Sequence, residues 1–564
     1  MSKYIAPGLI FVLFIVGGLL GIQAHTDPTE MDTVAYLSAA QSIQDAGGIL
    51  KHIPNCLNGV YREATQHPLY LLFLAPPAEN SLSYFVQAKF ITFGISIALF
   101  LTLLLITKKC FGPNIACMAG FLMAINATVI RLGTMVACET LLALCFILFI
   151  YCVSKGSEIK IYWIWAGLFA GLTFLAKSLG ILTLPIFVCS AIWYERKHSS
   201  KLFLSKYFWS FFGIFLLVAA PLFIRNIQIY GSPLYSDSSA VLWIDDWHEY
   251  SIERAQTGQI GLQAYLRSHT PKDMLMTLWN GYSDRDIRML IDGLKPLAFW
   301  KNIDLNSLQG FHQKTFAYQG IWAAILMLFF LIGLATQRKN KFLVPSIFSL
   351  LAFFTFVGWF SKIFNATPPT RLLYCPLLLI IIFVAAGFVY SLNRVRKYLA
   401  LNSAGRLNFM FCTIVLMVIA GCFMNHNWSK IDWHKTYKIN PIFGTQLAWV
   451  MQNVKVGEKV WVGQSFASHQ FYFKDQIKAT IVDWPKLTHL DEYQKQSQKN
   501  SIKYAFIDIA TVVHNYAVFG TYYLFNPQMG LKAKAALPVF MRPMSLNPQL
   551  ERFYQVVRFD HATT

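Results

Sequence analysis

Arg371-Leu-Leu-Tyr-Cys-Pro376-Leu-Leu-Leu-Ile-Ile-Ile-Phe-Val-Ala-Ala-Gly387-Phe-Val-Tyr-Ser391 carries no charge after its first residue. At about 1.5 Å per residue, a run this long crosses a hydrocarbon core roughly 30 Å thick. Comparable apolar runs recur along the chain, near 4–23, 82–106, 113–130, 135–153, 160–177, 179–194, 207–224, 318–336, 342–360 and 407–425, which makes eleven with 371–391. Of 564 residues 55% are hydrophobic and only 13% charged. A soluble globule has no use for so much apolar surface. The pattern predicts an all-α polytopic membrane domain of about eleven transmembrane helices. The first run has a long apolar core and no small-residue cleavage site, so it reads as a retained anchor.

Lys and Arg in the short loops set the orientation. With the N-terminus inside, the inner loops collect Lys3, Lys108, Lys109, Lys155, Lys160, Arg196, Lys197, Lys201, Lys206, Arg338, Lys339, Lys341, Arg394, Arg396, Lys397 and Arg406. Loops 24–81 and 225–317 and everything after 425 then lie outside, an N-in/C-out arrangement. Much of the net charge of +20 is therefore topology and gives no case for nucleic-acid binding. Of ten cysteines, only Cys56 falls in an outer loop, and no CxxC pair suggests a disulfide framework or a metal site.

Residues 1–425 form the membrane domain and 426–564 a small α/β extracytoplasmic domain. In the latter, 441–453 reads as an amphipathic helix, Lys459–Val462 and 479–483 as strands, 488–500 as a charged helix and 503–509 as a further strand. Its 16 Lys and Arg against 9 Asp and Glu make it basic, and nothing in it resembles a cofactor site.

Several chemistries are excluded by absence of pattern. There is no HExxH, no dinucleotide fingerprint and no kinase set. Gly171-Leu-Thr-Phe-Leu-Ala-Lys177-Ser178 has phosphate-loop spacing, but Ala176 replaces the second Gly and the stretch lies in an apolar helix. Lys177 at the outer end of that helix reads either as a snorkelling anchor or as a contact for an anionic headgroup.

Polar residues collect at the outer ends of spans. The first outer loop reads His25-Thr-Asp-Pro-Thr-Glu30-Met-Asp32-Thr-Val-Ala-Tyr36, and ends near His67-Pro68. Glu139 opens the fourth span with Arg131 just before it. Arg225-Asn226 leaves the seventh span, and Thr367-Pro-Pro-Thr-Arg371 opens the tenth. Each alone is as consistent with an interface anchor or a solvated loop charge. Carboxylates and cations gathered on one face are what an active site needs.

In this layout the chain resembles the integral-membrane glycosyltransferases of the GT-C fold, in particular bacterial relatives of the dolichyl-phosphate-mannose protein mannosyltransferases and the lipid A aminoarabinose transferases. The elements that match are Asp32 with Tyr36, the His67-Pro68 turn, Glu139, the 171–177 stretch, the 221–233 segment, and Arg371 with Pro376. Two features depart from the relatives. Asp32 has no adjacent acidic residue, Glu30 standing two positions away, and His67 stands where the aminoarabinose enzymes carry a Lys. The resemblance implies a hexosyl or pentosyl transferase that takes a polyprenyl-phosphate-sugar donor. The acceptor would be a hydroxyl of a glycolipid or protein at the outer face of a bacterial inner membrane.

Such a reaction needs a base for the acceptor hydroxyl and cations for the departing phosphate. Asp32 is assigned as the base and Arg371 as a bidentate phosphate ligand, with His67, Lys89 and Lys177 as further phosphate contacts. Glu139 orients the acceptor or pairs with Arg131. Glu30, Tyr36, Arg131 and Arg225 act in acceptor binding or support. No cofactor is required, and the resemblance leaves open a divalent metal near Asp32 and Glu139. Two other classes remain. A polyprenyl-lipid transporter or flippase predicts internal repeats and mid-bilayer charges, whereas a non-catalytic envelope assembly protein would tolerate loss of Asp32.

Overall fold

A computed structural model describes residues 2–30, 32–196, 202–245, 259–294, 313–363, 370–398, 437 and, with short gaps, 441–559. Among the described residues, six helices are long and apolar enough to cross a membrane: Ala6–Ala24, Leu82–Phe111, Glu139–Gly156, Lys206–Tyr230, Leu343–Phe360 and Thr370–Val395. Four shorter apolar helices, Pro113–Ala124, Tyr162–Ala176, Ser178–Tyr194 and Ile321–Thr336, fall where further spans were expected. The expected eleventh, 407–425, lies outside the described residues.

The chain divides into two compact units. The first comprises Met1–Ala24, Ser42–Pro76 and Ala88–Trp433, and the second His25–Gln41, Pro77–Gln87 and His434–Thr564.

Within the first unit, small residues let helices approach closely, since lipid offers no hydrophobic drive for helix association. A Cβ on Gly171 of Tyr162–Ala176 would come 2.7 Å from the Val218 Cβ of Lys206–Tyr230, and one on Gly167 would overlap the Phe211 carbonyl oxygen. This contact, rather than phosphate, accounts for Gly171 in the 171–177 stretch. Gly333 and Gly387 do the same reciprocally against the Phe383 and Phe329 carbonyls. Gly231, at φ 74°, ends Lys206–Tyr230 in the left-handed conformation, its N–H bonded to the Ile227 carbonyl at 3.0 Å.

Among its described residues, the 225–317 loop carries three short α-helices, Leu262–Ser268, Pro271–Asn280 and Ile287–Gly293, with a π-helical turn Gly281–Asp286 before the last. Thr270 and Asp273 form a capping box at the start of the second, where Pro271 costs no hydrogen bond. The last is held at its C-terminal end. Asn126 donates to the Gly293 carbonyl at 2.9 Å, and the Asp292 carboxylate accepts from the Thr370 hydroxyl at 2.6 Å.

The second unit contains a five-stranded mixed sheet in the order β2-β1-β3-β7-β6. Its strands are β1 (Lys459–Val462), β2 (Thr480–Asp483), β3 (Ile502–Asp508), β6 (Met541–Pro543) and β7 (Tyr554–Phe559), and a separate hairpin pairs β4 (Tyr523–Asn526) with β5 (Gly530–Ala533). β1 runs parallel to β2 and β3, while β7 is antiparallel to β3 and β6. Side chains alternate along the strands, and both faces are covered. Val460, Val462, Tyr504 and Phe506 pack with Phe443, Leu447 and Val450 of the helix Pro441–Asn453. Trp461, Ala505 and Ile507 pack on the other side with Tyr493 of the helix Leu490–Lys499. This is the expected α/β layer, its sheet extended by β6 and β7, which sequence patterning did not reveal any more than it did the β4–β5 hairpin.

Candidate functional site

Glu139 is the first residue of the helix Glu139–Gly156 and is fully buried. The positive end of the helix dipole favours a carboxylate there. Two cations far away in sequence reach the same oxygen. Lys177 Nζ lies 2.7 Å from Glu139 Oε1, and Arg371 Nε lies 3.8 Å from it. Each cation comes from a break between helices. Lys177 is in extended conformation between Tyr162–Ala176 and the 3₁₀ turn Ser178–Leu182, and Arg371 sits in the 3₁₀ turn Thr370–Leu373 ahead of the helix Tyr374–Tyr398. The Glu139 side chain is 1% exposed, whereas Lys177 and Arg371 keep 21% and 20%. A buried carboxylate thus holds two cations whose outer surfaces stay open, and the cluster carries a net positive charge. This arrangement suits an anion and disfavours a divalent cation at Glu139. Among the described residues, no three His, Cys, Asp or Glu side chains gather to hold a metal ion.

His67 lies beside this cluster, its Nδ1–H donated to the Phe174 carbonyl at 2.6 Å and its ring edge-on to Phe174. Burial, with the Arg225 and Lys177 charges, holds the imidazole down to about 4, against the pull of the carbonyl bond. His67 is therefore neutral near pH 7 and offers Nε2 only as an acceptor. Lys89 is fully buried and donates to the Ile22 carbonyl at 2.9 Å, close to the C-terminal end of the first helix. Arg225, also buried, bonds Asn226 Oδ1 from Nε at 2.9 Å, donates to the Glu63 carbonyl and lies over the Tyr61 ring. It ties the end of the first loop to the helix Lys206–Tyr230. The Arg131 carbonyl accepts from the N–H groups of Thr134 and Met135 at 3.1 Å, turning the chain towards Glu139.

In the second unit, Asp32 immediately precedes the helix Thr33–Asp45, and its carbonyl accepts from the Tyr36 N–H at 3.0 Å. Asp32 is half-buried, and Tyr36 is buried. Glu30 accepts from His25 Nδ1 at 2.8 Å.

Two features of the 225–317 loop escaped sequence reasoning. Asp245 accepts from His269 Nε2 at 2.8 Å and pairs with Lys362 at 3.3 Å, while the Lys362 ammonium lies 3.7 Å from the Tyr265 ring centroid. This cluster fastens the loop to the end of the helix Leu343–Phe360. Asp286 is buried against Gly358, and neither carboxylate oxygen has a hydrogen-bond partner among the described residues. The stretch Asp284-Arg285-Asp286-Ile287-Arg288 reads as a solvated turn, so nothing marks this carboxyl as buried.

Burial pushes Asp286 from 3.8 to about 7. The folded chain keeps its proton over a range where an unfolded Asp has lost it. Its contribution therefore favours the fold below about pH 4 and is lost as pH rises through about 7. Asp286→Asn should raise the melting temperature at pH 8 and flatten its fall between pH 4 and 7. A wild-type pH profile in the variant would contradict this.

Residues 84–224 match the family model described as dolichyl-phosphate-mannose-protein mannosyltransferase. ArnT from Cupriavidus metallidurans bound to undecaprenyl phosphate is similar in structure, with a TM-score of 0.51 at 10% identity over 98% of each chain. The apo oligosaccharyltransferase of Archaeoglobus fulgidus gives 0.52 at 11% identity, over 95% of this chain and 75% of that one. The same archaeal enzyme solved with Zn and sulfate gives 0.51 at 12% identity, over 92% and 72%. No curated protein matches the chain. The fold is thus the GT-C fold of the membrane glycosyltransferases, and residues 84–224 carry the sequence pattern of its mannosyltransferase family.

Proposed function

We propose that this protein transfers a sugar from a polyprenyl-phosphate donor to a hydroxyl of a glycolipid or protein at the outer face of a bacterial inner membrane. The observation that carries this reading is the Glu139–Lys177–Arg371 cluster, a preformed, partly open anion site at the ends of apolar helices. Undecaprenyl phosphate in the ArnT structure is an anion of the kind such a site would take.

In the reaction, the acceptor oxygen attacks the anomeric carbon and the bond from that carbon to the phosphate oxygen breaks. The hydroxyl proton passes to Asp32 and polyprenyl phosphate departs. Lys177 and Arg371 stabilise the charge that develops on the leaving phosphate. Glu139 fixes both cations before the donor arrives, so little reorganisation remains for the transition state. His67, neutral, offers an acceptor for a sugar or acceptor hydroxyl in place of a third charge. Lys89, which donates to the Ile22 carbonyl, supports the end of the first helix. No step requires a metal.

Arg371→Lys keeps the charge but loses the planar fork, so donor binding should weaken by about tenfold. Titration of the purified protein with polyprenyl phosphate checks this, and unchanged affinity would remove Arg371 from the phosphate site. The orientation has its own test. An alkaline phosphatase fused after Thr564 should be active, because that reporter folds only outside the cytoplasm. A fusion active only as a cytoplasmic reporter would invert the topology.

A further inference from the structure

The second unit contains a cleft of about 420 Å³ lined by Val34, Ser38, Gln470, Phe471, Lys474, Ile477, Ala479 and Ile481. Val34 and Ser38 are one turn apart on the helix Thr33–Asp45, which Asp32 immediately precedes. The opposite wall is the 3₁₀ turn Phe471–Phe473 and the segment leading into the edge strand β2. The two walls are stapled together, since the Tyr472 hydroxyl donates to the Pro28 carbonyl at 2.6 Å, and both groups are inside this unit. The cleft is therefore preformed, and its size is in the range of small-molecule sites.

Its chemistry is one-sided. Val34, Ile477, Ala479 and Ile481 make an aliphatic surface, and Phe471 adds a ring. Ser38 and Gln470 supply neutral polar groups, Lys474 supplies the charge, and among the described residues no acid lines it. We infer that this cleft binds the acceptor, and that the acceptor is an anionic amphiphile whose apolar stem lies on the aliphatic wall with its anionic group at Lys474. Naming the occupant as acceptor rests on the proposed transfer reaction. Val34, in the cleft wall, stands two residues after Asp32, so a ligand held there lies on the element that carries the proposed base.

The test uses the full-length protein in neutral detergent and a photoreactive dodecyl phosphate as probe. Photoreactive dodecyl phosphocholine, inorganic phosphate and a photoreactive hydroxyl-bearing peptide serve as comparators. Dodecyl phosphate should label 34–38 and 470–481 about fivefold above the phosphocholine, the discrimination expected of one partly exposed charge pair. Lys474→Glu should abolish that preference. Ala479→Trp, which fills the cleft and leaves the charge, should abolish labelling by both lipids without lowering the melting temperature. Equal labelling by both lipids, labelling that survives both variants, full competition by inorganic phosphate, or preferential labelling by the peptide would overturn the inference. If labelling fails while sugar transfer proceeds, the cleft assignment alone falls. Labelling that stands without any transfer would overturn the proposed function and, with it, the name of acceptor.

Discussion

Asp32→Asn should lower sugar transfer by about 100-fold or more, the scale of losing a general base, while the protein still inserts and folds. Asparagine keeps the size and most of the hydrogen bonding but cannot take a proton. The fold should survive because Asp32 is only half-buried and the asparagine amide keeps an acceptor of the same size. Glu30→Gln is the matched control. Its side chain meets His25, and glutamine keeps an acceptor for that bond, so transfer should stay within about threefold of wild type. Near-full transfer in Asp32→Asn with loss in Glu30→Gln would move the base to Glu30.

Glu139→Ala should be the most damaging single change to stability. It strands Lys177 and Arg371 in a site where only about a fifth of each side chain reaches solvent. Breaking a buried pair by removing one partner costs about 3–5 kcal/mol, and the lower end applies because both cations are partly open. Donor affinity should fall as well, since the two cations then repel each other out of register. Adding Lys177→Met to Glu139→Ala should recover part of the stability but none of the transfer. A strictly additive double variant would show that the pair is not coupled.

The sequence made the fold legible wherever burial writes a simple pattern. Within the described residues the apolar runs fall on helices, and Pro441–Asn453 and Lys459–Val462 have the bounds the pattern predicts. β4 to β7 were not legible. Three of them are no longer than β1 and β2 but lack the β-branched residues that mark those two, reading Tyr-Leu-Phe-Asn, Gly-Leu-Lys-Ala and Met-Arg-Pro. The site was legible in its residue types but not in its pairing. Arg131 stands eight residues before Glu139, which suggested one partner for it, and no local pattern signals that Lys177 and Arg371 reach the same carboxylate from distant helix ends. Lys177 read slightly better as a snorkelling anchor, because an apolar helix end says nothing about a carboxylate 38 residues earlier. Lys89 and His67 looked like spare cations. The first is occupied by a helix-end carbonyl, and the second is held neutral by its burial and its charged neighbours. Both outcomes depend on long-range packing that a local reading cannot supply.

Transfer itself is the most direct test of the central claim. The purified full-length protein, reconstituted in liposomes of bacterial envelope lipid, is given a polyprenyl-phosphate donor carrying a radiolabelled sugar. The label should move from the donor to an envelope glycolipid or glycoprotein with release of polyprenyl phosphate, and the transfer should collapse in Asp32→Asn. A donor that stays intact while it crosses from one leaflet to the other would instead make this chain a transporter and contradict the account.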